Sequence, residues 1–185
     1  IEAMVAAMRA HPQVAGVQEL ACKALTNVCC GDDAAGRARA QRAADAGAIE
    51  AVVDAMRAHP QVAGVQEHAC LVLGSVYGGV DAAGLARLGR AVVAGAIEAM
   101  VAAMRAHPQV AGVQGQACGA LGNVCAGGDA AGLARKQRAA DAGAIEAMVA
   151  AMRAHPQVAG VQKSGCWALL TVCGGVDAAG LARLE

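Results

Sequence analysis

The sequence predicts an all-α protein built as a solenoid of about four repeats, each made of three helices. The first observation behind this prediction is a segment, HPQVAGVQELACKALTNVCCG, that begins at His11 and returns with changes at His59, His107 and His155, always 48 residues further on. The second is the helical spacing of apolar residues within each copy, and the third is proline and glycine punctuation between helices. A repeat at this spacing is typical of stacked helical units that share a continuous core.

The repeat divides the chain, residues 1–185, into copies 1–48, 49–96, 97–144 and 145–185. We interpret the four copies as a single elongated domain, because each unit of a repeat protein buries its apolar surface against the next. The sequence begins inside a repeat and ends before the fourth copy is finished. We therefore expect it to be a segment of a longer array.

The first helix of the unit follows from apolar residues at the i, i+3, i+4 and i+7 positions, which are Ile1, Met4, Val5 and Met8. It is expected to end near Ala10. His11 precedes Pro12, and a residue before proline is disfavoured in the α region, so the chain breaks there.

The second helix is the longest of the unit, and we call it the long helix. Pro12 suits its first turn, where the missing N–H costs nothing. The helix is predicted to run to about Cys30, with Gly31 as its C-terminal stop. Gly16 disfavours helix by up to about 1 kcal/mol relative to alanine, so the first turn and a half is expected to be loop or distorted helix.

The third helix of the unit starts after Asp33, which can cap it, and closes at Gly47 before Ile49 begins the next copy. The same plan recurs from Asp81 to Gly95 and from Asp129 to Gly143. Each unit is therefore predicted to hold three helices, with a sharp bend at the Gly-Ala-Ile junction.

The core of each long helix follows an A-x-x-A-L-x-N-V pattern. The four cores read ACKALTNV, ACLVLGSV, ACGALGNV and GCWALLTV, beginning at Ala21, Ala69, Ala117 and Gly165. Together with the proline before the long helix and the Gly-Ala-Ile bend, this pattern resembles the armadillo repeat family, with HEAT-like repeats as the nearest alternative. The resemblance covers the whole chain and implies a right-handed armadillo-like α-solenoid.

Differences between the copies are concentrated on one side of the long helix. They fall at Glu19, Leu20, Lys23, Thr26, Asn27 and Cys30 and at the counterparts of these residues, 48, 96 and 144 positions further on. At about 100° per residue these positions occupy one arc of roughly 120°. We call this arc the variable face, and we expect it to lie outside the core.

Substitutions on the variable face cross chemical classes. Lys23, for example, becomes Leu71, Gly119 and Trp167. A packed core loses stability when side-chain volume changes by a methylene or two, so this range indicates a surface. The surface has either drifted neutrally or diversified as a binding face.

Four polar residues serve as an internal comparison for these two interpretations. Glu2, Arg9, Gln13 and Gln18 are expected to be exposed, yet they repeat unchanged in every copy. Exposure alone therefore does not explain the variation, which favours a binding face on the inner, concave side of the solenoid.

The armadillo resemblance adds an expectation for this face. In such repeats the long helix lines the groove, its asparagine holds the backbone of an extended peptide, and a tryptophan lies one turn earlier. Asn27 and Asn123 keep the asparagine, Ser75 and Thr171 replace it, and Trp167 alone keeps the tryptophan. A regular ladder of peptide contacts is therefore not expected.

The sequence thus predicts a non-catalytic scaffold that binds a protein or an extended peptide along its concave face. The alternative is a structural subunit that braces a large multi-protein assembly through its convex face or its ends. The residues expected to bind the partner are Glu19, Lys23, Asn27, Glu67, Leu71, Ser75, Gln116, Asn123, Lys163, Trp167 and Thr171.

Charge argues against nucleic acid as the partner. Fifteen lysines and arginines balance fifteen acidic residues, which removes the broad attraction typical of nucleic-acid binders. Asp45 and Asp141 are expected to pair with Arg42 and Arg138, three residues before them. Further arginines of the third helices are expected to form a solvated ridge without an aromatic platform; they are Arg39, Arg87, Arg135 and Arg183.

Catalytic, metal and cofactor chemistry is not predicted. Each histidine of the ladder precedes a proline, which favours a turn role over metal binding. The serines, Ser75 and Ser164, lie in no nucleophile motif, and the sequence contains no phosphate-binding loop or dinucleotide fingerprint. We expect no catalytic residue, no metal and no cofactor.

The cysteines predict free, buried thiols. Cys22, Cys70, Cys118 and Cys166 fill one repeat position, so neighbours would be separated by the roughly 8 to 10 Å between helix layers. Disulfides need Cα atoms within about 7 Å. We expect an intracellular, reducing compartment, either the cytosol or the nucleus, with an organelle left open. No apolar run approaches the roughly 18 residues of a membrane span.

Overall fold

The computed structural model describes residues 1–29, 31, 33–76 and 81–174. These residues form eleven helices and no strand, which confirms the all-α prediction. Cys30, Arg183 and the third helix of the fourth repeat lie outside the described residues. The helices are α1 (Glu2–Ala10), α2 (Ala15–Cys29), α3 (Ala34–Asp45), α4 (Ala48–Ala58), α5 (Ala63–Val76), α6 (Ala82–Ala94), α7 (Ala96–Ala106), α8 (Ala111–Val124), α9 (Ala130–Asp141), α10 (Ala144–Ala154) and α11 (Ala159–Cys173).

The break between the first helix and the long helix is a tight turn. The His11 carbonyl accepts a hydrogen bond from the Val14 amide at 3.1 Å, with Pro12 inside the turn. The prediction that Pro12 opens the long helix is therefore wrong, since α2 starts at Ala15. The fixed φ of proline suits the second position of a turn, which is the role it takes here.

A buried glutamine holds this turn together. The Gln18 side chain is buried and donates through Nε2 to the carbonyls of Met8 and His11, both at 2.9 Å. The last carbonyls of a helix have no intrahelical partner, so Gln18 satisfies the end of α1. The equivalent bonds recur at Gln66, Gln114 and Gln162. The expectation that Gln18 is exposed is wrong.

The third helices begin and end as predicted. The Asp33 carboxylate accepts a hydrogen bond from the Gly36 amide at 2.7 Å, and Asp81 and Asp129 cap α6 and α9 in the same way. Gly47 has a φ of +84°, a left-handed conformation that glycine adopts at no steric cost. The bend that leads into the next unit depends on this glycine.

Corresponding helices of successive units pack against each other. The long helices α2, α5, α8 and α11 form one series of contacts, and α1, α4, α7 and α10 form a second. Between units, the rings of three histidines bond the carbonyls of prolines one unit earlier. These pairs are His59 with Pro12 at 2.8 Å, His107 with Pro60 at 2.8 Å and His155 with Pro108 at 2.9 Å.

The arginines of the third helices are mostly structural, so the predicted solvated ridge is wrong for Arg87 and Arg135, which are buried. Arg135 Nε donates to the Val124 carbonyl at 2.7 Å and ties α9 to the end of α8. Arg138 binds the Glu98 carboxylate at 2.6 Å, a partner that the sequence did not predict. These bonds fix the angle between the third helix and the rest of its unit. Equivalent carboxylate bonds join Arg42 to Glu2 and Arg90 to Glu50.

The described cysteines are free, and most are buried as predicted. Burial raises the pKa of the Cys22 and Cys118 thiols to about 12, so these groups stay protonated and unreactive near neutral pH. Cys166 is exposed, in contrast to its counterparts. Cys22, Cys70 and Cys118, at the equivalent positions of α2, α5 and α8, are buried, and each of these three helices packs against a following long helix.

Candidate functional site

The variable face lies at the surface of the four long helices. In the described residues its side chains are exposed or half-buried, and its one buried member is Gly122. The opposite side of each long helix supplies the core, which includes Leu25, Leu73 and Leu121. The long helix is thus positioned by an apolar stripe that leaves the variable face outward.

Both asparagines predicted for this face are exposed. Asn123 donates through Nδ2 to the Gly74 carbonyl of α5 at 3.4 Å, so it spans two neighbouring long helices. Asn27 is exposed on α2. An asparagine side chain offers both a donor and an acceptor, which is the pair of groups that an extended peptide backbone presents.

The hydroxyls that replace asparagine are occupied by their own helices. Ser75 Oγ donates to the Leu71 carbonyl at 2.8 Å, and Thr171 Oγ1 donates to the Trp167 carbonyl at 2.8 Å. Such bonds to the carbonyl four residues earlier are common for these residues in helices. At these two positions the hydroxyl proton is therefore used within the helix, and only an acceptor remains for a partner.

Trp167 is 47% exposed and lies against the backbone of the preceding long helix. A Cβ at Gly122 would lie 2.6 Å from Trp167 Nε1 and 2.7 Å from Cδ1, so the indole rests on a glycine. This pair explains why Gly122 is buried. One side of the indole contacts the preceding unit, and the other side is exposed.

Two of the carboxylates predicted to bind a partner also take part in the contact between units. A Cβ at Gly64 would lie 2.6 Å from Glu19 Oε1, and Glu67 lies over Gly112 in the same way. Gly64 and Gly112 are in the first turns of α5 and α8, where a negative charge is favoured by the helix dipole. Sequence reasoning missed this role, although a glycine recurs at the second position of every long helix.

The middle of the variable face carries few side-chain atoms. Gly115 and Gly119 carry no side chain, and a Cβ at Gly119 would meet only Ser164 Oγ, at 3.9 Å. Leu71 is half-buried on one side of this stretch, and Trp167 is exposed on the other. Gln116 is half-buried, whereas Lys23 and Lys163 are exposed. The arrangement is a surface for contact, with no cluster of groups suited to chemistry.

The polar residues that repeat unchanged are mostly bonded to neighbouring helices. Glu2 binds Arg42 at 2.7 Å, Arg9 donates to the Ala46 carbonyl at 3.3 Å, and Gln18 is buried. Their repetition follows from these bonds, so the comparison made from the sequence must be corrected. Three of these four residues are therefore held by bonds between helices, whereas Gln13 is exposed in the turn.

Small clefts also recur where the first helix meets the following unit. They have volumes of about 230, 90 and 100 Å³ and are lined by equivalent methionines, arginines, prolines and alanines. Their walls are mainly apolar, and the arginines Arg9, Arg57 and Arg105 already donate to backbone carbonyls. The clefts therefore follow from the repeat geometry.

The described part of the chain contains no group of three or more His, Cys, Asp or Glu side chains arranged to hold a metal ion. None of its helices combines the length and the apolar character needed to cross a membrane. No protein-family model, no curated protein and no solved structure matches the chain.

Proposed function

We propose that the chain is a right-handed armadillo-like α-solenoid that acts as a non-catalytic protein-binding scaffold. Its four long helices would form a concave face that holds a partner segment or surface. One observation supports this proposal most: side chains that differ between the copies share one outward face of packed long helices, while most unchanged polar side chains are bonded within the framework.

The chemistry of this face suits an extended polypeptide. Asn27 and Asn123 would bond its backbone, and Leu71 and Trp167 would contact its apolar side chains. Lys23 and Lys163, both exposed, would add charge at the two ends of the face. The unreactive buried thiols support a place in a reducing compartment, such as the cytosol or the nucleus.

We expect Trp167→Ala to weaken peptide binding by about tenfold or more, because buried aromatic contacts dominate the free energy of most interfaces. Peptides would first be selected on the immobilised chain from a random display library. Their affinities for the wild type and the variants would then be measured by fluorescence anisotropy. Asn123→Ala is expected to weaken binding by a smaller factor.

Gln109→Ala is the matched control, because Gln109 is exposed and lies off the variable face. It should leave the affinity unchanged. If Trp167→Ala and Asn123→Ala also left every selected affinity unchanged, the assignment of the binding face would be wrong.

A second candidate function is a structural subunit that braces a large multi-protein assembly through its convex face or its ends. Exposed apolar residues on α6 and α9 favour it, with Val93 85% exposed and Leu85 and Leu133 partly exposed. Charged substitutions separate the two candidates. Loss of assembly with Val93→Glu, and its retention with Trp167→Glu, would favour the structural role.

A further inference from the structure

The first of the three recurring clefts is larger than the other two. It lies between α1 and α4 and has a volume of about 230 Å³, whereas the equivalent clefts have volumes of about 90 and 100 Å³. A cavity of about 150 Å³ with apolar walls binds a molecule of the size of benzene. The first cleft therefore has room for a small organic ligand.

A buried amide oxygen lines this cleft. Gln18 is one of the lining residues and is 1% exposed. Its Nε2 donates to the Met8 and His11 carbonyls, and because both partners are acceptors, the orientation of the amide is fixed. In the part of the chain that the structure describes, no donor reaches the remaining polar atom, Gln18 Oε1. Buried acceptors in proteins are nearly always paired, so this oxygen indicates a donor from outside the chain, either water or a ligand.

A carboxylate distinguishes the first cleft from its equivalents. Asp54 lines it, whereas Ala102 and Ala150 fill the same position in the second and third clefts. The Asp54 side chain is 75% exposed, and its Oδ1 lies 3.6 Å from Arg57 Nη1. An exposed ion pair of this kind contributes little free energy, so the carboxylate can bind another cation.

The other charged groups of the cleft are held by bonds within the chain. Glu50 binds the Arg90 guanidinium of α6, and Arg9 donates to the Ala46 carbonyl at 3.3 Å. The groups left for a ligand are therefore one neutral oxygen and one carboxylate between mainly apolar walls. A ligand that carries a positive charge and several N–H donors matches this set.

The cleft is a separate pocket and not part of a continuous groove. It shares no lining residue with the second cleft. An extended peptide needs a groove that continues along its length, whereas a small molecule needs a pocket with a few well-placed polar groups. A small free ligand therefore suits the cleft better than a segment of a partner protein.

We propose that this cleft binds a small guanidinium ion that carries a short alkyl chain. The planar guanidinium presents N–H donors on every side and no acceptor, and it is less strongly hydrated than an ammonium ion. Because Gln18 and Asp54 line the same small cleft, a ligand that fills it donates to the Gln18 oxygen and lies beside the Asp54 carboxylate. The alkyl chain packs against Met8 and Ala55. This site is independent of the variable face.

The test is a titration of the full chain, ¹³C-labelled at its methionine methyl groups, with ethylguanidinium chloride. The Met8 signal, identified by its loss in Met8→Leu, should shift and saturate with a dissociation constant of about 1 to 10 mM, as expected of a ligand with so few atoms. The Met104 signal, from the third cleft, should not follow this curve. Asp54→Ala introduces the residue found at this position in the other copies. It should weaken binding by about tenfold, since a hydrogen bond to a charged group is lost.

Two probes and one variant serve as controls. Ethylurea has nearly the same shape and keeps N–H donors without the charge, whereas tetramethylammonium keeps the charge without the donors. Both should bind about tenfold more weakly than ethylguanidinium. Asp45→Ala removes an exposed carboxylate away from the cleft and should leave the affinity unchanged.

Several results would overturn the proposal. They are a Met8 signal that does not saturate, an Asp54→Ala variant that binds as tightly as the wild type, and either control probe binding as tightly as ethylguanidinium. Tighter binding of Nα-acetylarginine amide than of ethylguanidinium would assign the cleft to an arginine side chain, and it would overturn the small free ligand.

Discussion

Leu121→Ala is expected to lower the free energy of unfolding by about 3 to 4 kcal/mol, as large-to-small changes at fully buried leucines do. Leu121 is fully buried in α8, which packs between α5 and α11. Because α5 and α11 pack on α8 from both sides, the cavity left by the leucine cannot close easily. Urea unfolding followed by circular dichroism measures the loss.

Leu169→Ala is the matched control, since Leu169 fills the equivalent position in α11 but is only half-buried. It should cost roughly half as much, because less apolar area is removed from a packed environment. Equal losses of stability at the two positions would contradict the difference in burial between Leu121 and Leu169.

Gln114→Ala is expected to destabilise the chain by about 1 to 3 kcal/mol, since it removes a donor from the buried Met104 carbonyl and one of the two donors to the His107 carbonyl, which also accepts from the Val110 amide. The buried Gln114 side chain donates to the Met104 carbonyl at 2.9 Å and to the His107 carbonyl at 2.8 Å. Alanine replaces neither bond, and the turn between α7 and α8 loses its link. The same urea titration measures the effect.

Gln109→Ala separates this effect from the mere loss of a repeated glutamine. Gln109 also recurs in all four copies, but it is exposed in the turn. Its replacement should change stability by no more than about 0.5 kcal/mol, as is usual for surface positions. A loss at Gln109 as large as that at Gln114 would contradict the assigned role of the buried side chain.

Local features allowed the helices to be predicted from the sequence. The aspartate caps, the left-handed glycines and the break at each His-Pro are decided by residues close in the chain. Pro12 suits a turn as well as a first helical turn, and only the hydrogen bond from the Val14 amide to the His11 carbonyl distinguishes the two roles. Propensity alone does not rank these two alternatives.

The buried glutamine was missed for a different reason. Gln18 bonds carbonyls seven and ten residues earlier, so its role depends on how two helices meet. The sequence did hold a signal, because Gln18 repeats unchanged beside positions that vary. Repetition alone does not distinguish an exposed residue from a buried polar group, which repeats because its partners are fixed.

From the sequence, the candidate site could be predicted only as one face of the long helix, without the contacts that its residues make. Periodicity placed Lys23, Asn27 and their counterparts outside the core. It could not show that Glu19 lies over Gly64, or that Trp167 rests on Gly122, because both contacts join different units. Part of the variation between copies is therefore adjustment between neighbouring helices.

The central claim, that a partner binds along the variable face, is tested most directly by the indole N–H resonance of Trp167. The chain contains one tryptophan, so its single indole signal needs no assignment by mutation. The spectrum would be recorded on ¹⁵N-labelled protein at constant concentration while a selected peptide is added. We expect the signal to shift and to saturate together with the anisotropy. A peptide that saturates the protein and leaves this resonance unmoved would contradict the claim.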